Sequence, residues 1–289
     1  MRRDPPRAEE GMALVLTLMM IVLITALVTE FVYGVFTGAA ALDNWRKAQQ
    51  LSLVARSGVT LAAKTVSTLD PSYLYAYIGK ADIPVDNIAE GFGGRVLIRV
   101  EDENAKFNLN SLLTPGPADS GRPPPIDCFR RLLRELGLKE EIADRIADWI
   151  DKDSIPRLRD SEDGAKNYFM DSVDELLQIK GIDRQSYEKL LPYVTVYGWP
   201  AAGDVRINMN TASIPVIMSV VGDRGLAEAI ARAREGRYFV TPGDLARVPG
   251  VVVDTNFMGT DRPQNFRIRV TAEDGRIRRV IEAVIATSG

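Results

Sequence analysis

No histidine stands anywhere in the 289 residues, and cysteine occurs once, as Cys128. That removes Ser-His-Asp triads and imidazole metal ligands, and a lone thiol forms neither an intramolecular disulfide nor a Cys-cluster zinc site. The common hydrolase and zinc chemistries are excluded. An excess of either charge is missing too: 36 basic against 39 acidic side chains leave a formal −3, so the whole chain carries no electrostatic footprint for nucleic acid. No catalytic carboxylate pair or Ser-Lys dyad stands out. Gly91-Phe92-Gly93-Gly94 precedes a strand pattern, whereas a phosphate loop opens a helix. The chain reads as non-enzymatic.

What is present in abundance is apolar length. Met12 to Leu42 carries one charged side chain, Glu30, and nothing ionised stands from Met12 to Thr29. At about 1.5 Å per residue the uncharged part is a rod of roughly 27 Å, close to the thickness of a bilayer core. This is a membrane segment. Before it, Met1 to Gly11 mixes Arg2, Arg3 and Arg7 with Asp4, Glu9 and Glu10 and ends in glycine just ahead of the apolar residues. Gly38-Ala39-Ala40-Ala41 imitates a signal-peptidase site, but the run in front of it is too long for a signal-peptide core.

Gly11-Met12-Ala13-Leu14-Val15-Leu16 resembles the start of type IV pilins and pseudopilins, in which a prepilin peptidase cuts after the glycine and methylates the new amino terminus, here Met12. The fifth residue after the cut is usually Glu in those proteins; here it is Leu16. A carboxylate in lipid is costly unless paired, and in that family it is thought to pair with the free amino terminus of an adjoining subunit. A chain with Leu16 makes no such pair, which suits a filament tip. Together with its size, this makes the chain similar to the general secretion pathway protein K family, the K-type minor pseudopilins of type II secretion.

Beyond the membrane, Leu51, Val54, Ala55, Gly58, Ala62, Val66 and Leu69 recur at helical spacing, so the helix is expected to continue to Asp70-Pro71. Val96, Ile98 and Val100 alternate with charged neighbours, as do Phe266, Ile268 and Val270, and Ile277 to Ala286 returns after Asp274-Gly275. These read as strands of one antiparallel sheet. Thr114 to Pro125 is a proline-rich linker. After it, helical patterns run over Ile126–Leu136, Glu140–Ile150, Val173–Ile179, Ser186–Leu191, Ile214–Val221 and Leu226–Glu235. The expected fold is α+β: a long N-terminal transmembrane helix packed on a small antiparallel sheet, the pseudopilin fold, with a large inserted all-α domain. The expected divisions are a leader over 1–11, a membrane segment over 12–42, helix and first strands over 43–112, an insertion over 113–250 with a strand segment near 194–210, and closing strands over 251–289.

Lys106-Phe107-Asn108-Leu109-Asn110-Ser111 is echoed by Arg206-Ile207-Asn208-Met209-Asn210-Thr211. Asn before a helical run is read as a cap or turn former in preference to a ligand. With Asp148-Trp149-Ile150-Asp151-Lys152-Asp153, this echo is a second stretch resembling protein K. The acidic loop after Trp149 offers hard oxygen donors without the spacing of an EF-hand. The resemblance implies calcium there, expected on Asp151, Asp153, Asp160 and Asp163. The family's usual Gly-Ala-Glu-Asp is here Gly164-Ala165-Lys166-Asn167, with two carboxylates fewer and one positive charge more. The resemblance further implies minor pseudopilins I and J as partners through the N-terminal helix, a prepilin peptidase, and an inner-membrane anchor with the head in the periplasm. No nucleic-acid partner is expected. Leu176 to Val194 resembles a helix-hairpin-helix, which makes a membrane-anchored DNA-binding competence protein the rival reading. A membrane-anchored enzyme using carboxylate chemistry is a weaker rival, given the missing histidines.

Overall fold

The computed structural model describes residues 8–70, 73–75, 78–79, 83–85, 92–114, 123–198, 205–255, 257–260 and 262–287, with side chains from Gly11 onward. Most of the leader and most of the proline-rich linker fall outside these. Helix α1 runs unbroken over Ala8–Thr68, ending two residues short of Asp70. Every residue from Gly11 to Lys47 is exposed, and then burial begins at one face: Ala48, Leu51, Val54, Ala55, Ala62 and Val66. That face meets a four-stranded antiparallel sheet, ordered β1 (Ile83–Val85), β2 (Arg95–Asp102), β7 (Asn265–Asp274) and β8 (Ile277–Ala286). The alternation explains the pleat. Val96, Ile98 and Val100 point at the helix with Phe266, Ile268, Val270 and Ala272, forming one apolar core. Burying Leu51 fully is worth about 2 kcal/mol. The last turn of α1 has no basic residue of its own. Arg262, from a distant loop, donates to the carbonyl of Val66 at 2.6 Å and places a positive charge near the helix C-terminus.

Ile98 faces Val270 and Asp102 faces Phe266 in the β2–β7 register. The chain therefore leaves the sheet and re-enters it at neighbouring points on one end, as an inserted domain requires. Inside the insertion, β3 (Phe107–Asn108) pairs in parallel with β4 (Val194–Thr195), and β5 (Ile207–Asn208) with β6 (Met258–Gly259). The single strand segment expected near 194–210 is thus two short strands in different ladders. Because β3 and β6 both pair within it, the insertion spans more than the expected 113–250, from just after β2 to just before β7. Helices α2 (Pro125–Glu135), α3 (Glu141–Ile150), α4 (Arg184–Leu190), α5 (Ile214–Val221) and α6 (Arg224–Gly236) surround a second core containing Phe107, Phe129, Leu132, Ile146, Leu176 and Phe239.

The two halves of the insertion repeat one plan. Each ladder opens on Asn-x-Asn, and each half has a short 3-10 helix, Val173–Gln178 or Pro242–Arg247, started by a capping box, Ser172 with Glu175 or Thr241 with Asp244. Each 3-10 helix leads to a left-handed glycine, Gly181 at φ +89° or Gly250 at φ +85°. A helix was expected over Val173–Ile179. The run is instead a 3-10 helix, Val173–Gln178, begun by its capping box.

Candidate functional site

Two regions carry the residues singled out by sequence. The first is the exposed part of α1. Gly11, Met12 and Leu16 lie on its first turns, with Met12 and Leu16 fully in the open. Among the described residues, α1 is the one helix long and apolar enough to cross a membrane. Its outward apolar side chains continue past the uncharged stretch through Phe31, Val32, Val35, Phe36 and Leu42 to Trp45 and Leu53.

The second region is the acidic loop that follows α3. Asp148 and Asp151 stand one turn apart at the end of that helix, and their carboxylates meet that of Glu162, with ligand oxygens within 4.8 Å of one another. Asp148 is fully buried and Asp151 is 8% exposed. Arg157 reaches back from the loop. Its backbone N–H donates to Asp148 Oδ2 at 2.8 Å, and its Nη1 donates to both Asp148 Oδ1 and Asp151 Oδ2. Ser161 Oγ also donates to Asp148 Oδ2. Three buried oxygens are left without a partner: Asp151 Oδ1, Glu162 Oε1 and Asn167 Oδ1. Asn167 is pinned to the end of α3 by its N–H on the carbonyl of Trp149, 3.0 Å away. Loss of hydration, together with Asp153 and Asp148, pushes the Asp151 carboxyl above the usual range despite Arg157. Glu162 is raised likewise, by burial and then by Asp151 and Asp148.

Of the four aspartates expected to share a site, the structure brings only Asp151 into this cluster. Asp153 is spent locally, accepting from the N–H of Ile155 at 2.8 Å. Asp160 and Asp163 turn to Lys180, at 3.4 and 3.2 Å, on the outside of the loop. The reason is geometric: the backbone of Asp160 is left-handed, at φ 64°, so sequence neighbours do not face one way. The donors replacing them are Asp148 and Glu162. The spacing of Asp148 and Asp151 on a helix is legible in sequence, whereas the return of Glu162 and Arg157 is not. Lys166 stays clear of the cluster, bridging Asp171 at 2.6 Å and Glu175 at 3.0 Å.

The Asn-x-Asn echoes act on backbone. Asn108 and Asn208 each accept from the N–H two residues on, at 3.0 Å. Asn210 then clasps both backbone groups of Phe239, and Asn110 those of Met170, standing in for a strand partner. Where the sheet meets the insertion, Asp102 accepts from Asn104 N at 2.8 Å, Asn208 Nδ2 at 2.9 Å and Thr211 Oγ1 at 2.5 Å. Burial pushes its carboxyl up to about 6. Burial also raises the Cys128 thiol to about 11, so it is a packing side chain. At the hairpin of Gly181 the Arg145 guanidinium packs against the glycine, and a carboxylate stands at the start of the helix that follows. Asp183 accepts from the N–H of Ser186 at 2.7 Å and so puts a carboxylate on the start of α4, where a DNA backbone would approach.

Residues 105–200 match the family model described as type II secretion system (T2SS), protein K. Among curated relatives, the type II secretion system protein K of Pseudomonas aeruginosa is 33% identical over 194 residues, covering 57% of this chain and 55% of the relative. That of Aeromonas hydrophila is 28% identical over 241 residues, 71% of this chain and 68% of the relative. That of Dickeya chrysanthemi is 27% identical over 281 residues, 79% and 78% respectively. The match thus spans about half the length of the first relative and more of the others. In fold, the chain is similar to one chain of the crystal structure of the GspK-GspI-GspJ complex of enterotoxigenic Escherichia coli. The TM-score is 0.64 at 20% identity, covering 87% of this chain and 94% of that one.

Proposed function

We propose that the chain, which matches type II secretion system protein K over residues 105–200 and is 33% identical to one such protein over 194 residues, is a non-enzymatic minor pseudopilin of that family, placed at the tip of the pseudopilus, where it initiates assembly and aids export across the outer membrane. A prepilin peptidase cuts it after Gly11 and methylates Met12. The mature chain stays in the inner membrane by α1 with its head in the periplasm.

The observation that carries this reading is the length of exposed apolar helix. Met12 to Leu42 spans roughly 46 Å along the axis, against about 30 Å of hydrocarbon. About 16 Å of apolar helix is therefore left outside lipid, and helices of other subunits are its natural cover. The crystallised relative assembles with GspI and GspJ; by likeness, α1 of this chain meets minor pseudopilins I and J. Leu16, lacking a carboxylate to hold a neighbour's amino terminus, fits a subunit with nothing above it. Cysteines introduced one at a time from Val28 to Leu69, each paired with a cysteine introduced in the N-terminal helix of I or J, test this, since the native Cys128 is fully buried and silent. Oxidative cross-links to I and J are expected from exposed positions such as Val35, Trp45 and Leu53. A blank result throughout the segment, with all three proteins present, would count against the helix interface.

Calcium is proposed for the insertion, on Asp148, Asp151 and Glu162. The residues fit: all offer hard oxygens, and buried oxygens stand unpartnered. Bound there, the ion holds the acidic loop to the end of α3. Addition of millimolar calcium should raise the melting temperature of the detergent-solubilised chain, and Glu162→Gln should abolish the rise; a melting curve indifferent to calcium would retire the site.

A further inference from the structure

We propose that Arg157 is a built-in counter-cation of the Asp148–Asp151–Glu162 cluster, which leaves when a hard divalent cation enters. The inference rests on the calcium reading and adds to it how the site is kept when the ion is absent.

Three carboxylates within 4.8 Å of one another, two of them buried, require positive charge. Arg157 supplies one unit and leaves the cluster at about −2. Its guanidinium is planar, and its donors go to Asp148 Oδ1 and Asp151 Oδ2. The same geometry leaves Asp151 Oδ1 and Glu162 Oε1 buried and unmet. A divalent cation, which takes several hard oxygens, could be met by these oxygens as well, whereas the guanidinium as placed does not engage them. The two cations are therefore alternatives for the same oxygens.

Release is local. The Arg157 side chain is 35% exposed, so its tip swings into water without unpacking the core. Its backbone N–H still holds Asp148 Oδ2, and Ser161 still holds the same oxygen, so the loop stays closed over the site in both states. Lys166 is no substitute, because Asp171 and Glu175 engage it. The cost of this arrangement is affinity: the cation enters only while Arg157 is away, so apparent binding weakens about tenfold if the site is free about a tenth of the time.

Calorimetric titration of the full chain in detergent with calcium chloride tests the exchange, using wild type, Arg157→Gln and Arg157→Lys. Arg157→Gln is expected to bind calcium about tenfold more tightly than wild type. Without calcium it should melt below wild type, and calcium should restore it. Arg157→Lys, a smaller and more mobile charge, should fall between the two and stands in if the glutamine variant does not fold. Equal or weaker calcium affinity in both variants overturns the exchange while leaving the cation site intact. Absence of calcium binding in all three chains removes the site itself.

Discussion

Replacing Glu103 by alanine should destabilise the head by about 3 kcal/mol, the low end of the cost of breaking a buried ion pair, because Arg267 and Lys106 each keep a second carboxylate. Glu103 follows β2 directly and is fully buried at the joint between sheet and insertion. Its Oε1 accepts from Lys106 Nζ at 2.7 Å and Arg267 Nε at 2.8 Å, and its Oε2 from Arg267 Nη2 at 3.3 Å and from Thr195 Oγ1. Burial opposes ionisation, but Arg267 and Lys106 together hold the carboxyl below its usual range. The residue joins three segments: the turn after β2, strand β7 through Arg267, and strand β4 through Thr195. Arg267 retains Glu282 on β8 when Glu103 is gone, while Lys106 retains the half-exposed Glu101. Urea melting of the detergent-solubilised chain measures the effect. Glu103→Gln, which keeps an acceptor without the charge, should lie between wild type and alanine. A loss under 1 kcal/mol for alanine would mean that water or a rearranged Glu101 takes over the site.

The second large effect is expected at Asn210. Its amide donates to the carbonyl of Phe239 at 2.9 Å and its oxygen accepts from the N–H of the same residue at 2.7 Å, with Asn210 itself 8% exposed. Alanine there strands two buried backbone groups, at a cost of about 1–3 kcal/mol each, so about 2–6 kcal/mol in total before the surroundings relax. Asn110→Ala should behave alike, since Asn110 clasps Met170 at 2.8 and 3.0 Å and also reaches the carbonyl of Val196 at 3.2 Å. Asn210→Asp should be no milder than alanine, because it loses the donor and adds a buried charge. Thermal melts of the three variants check this. Wild-type stability in Asn210→Ala would show that the clasp is dispensable.

The residue pattern made the α+β architecture legible because its main elements bury one face each. The strands Arg95–Asp102 and Ile277–Ala286 stand where their period-two alternation and turn residues place them. The long helix was visible from its apolar length and its later stripe, which is the face laid on the sheet. What escaped has physical reasons. Strands β3 to β6 are two residues each, too short to show a period, and they pair in parallel across long separations. The tight coils at Val173–Gln178 and Pro242–Arg247 share the composition of an α-helix start, and their capping boxes mark a beginning without fixing the pitch. The sequence marks the Asn residues as cap and turn formers, and Asn108 and Asn208 each accept from the N–H two residues on; the backbone clasp made by their partners depends on chain segments far away. At the acidic loop, sequence showed that carboxylates are plentiful and gave no direction for any of them. Asp160 and Asp163 turn outward to Lys180, and Arg157 enters from a position that composition alone marks as a surface residue.

On the function proposed above, α1 is the processed rod of a pseudopilin, trimmed on the cytoplasmic side and retained in lipid. The most direct test is the mass and amino-terminal sequence of the chain extracted from membranes of cells with an active prepilin peptidase. A mature polypeptide beginning at Met12 and carrying one methyl group on its amine is the predicted result. A polypeptide that begins beyond Ala41, or that retains its first eleven residues under those conditions, would contradict it.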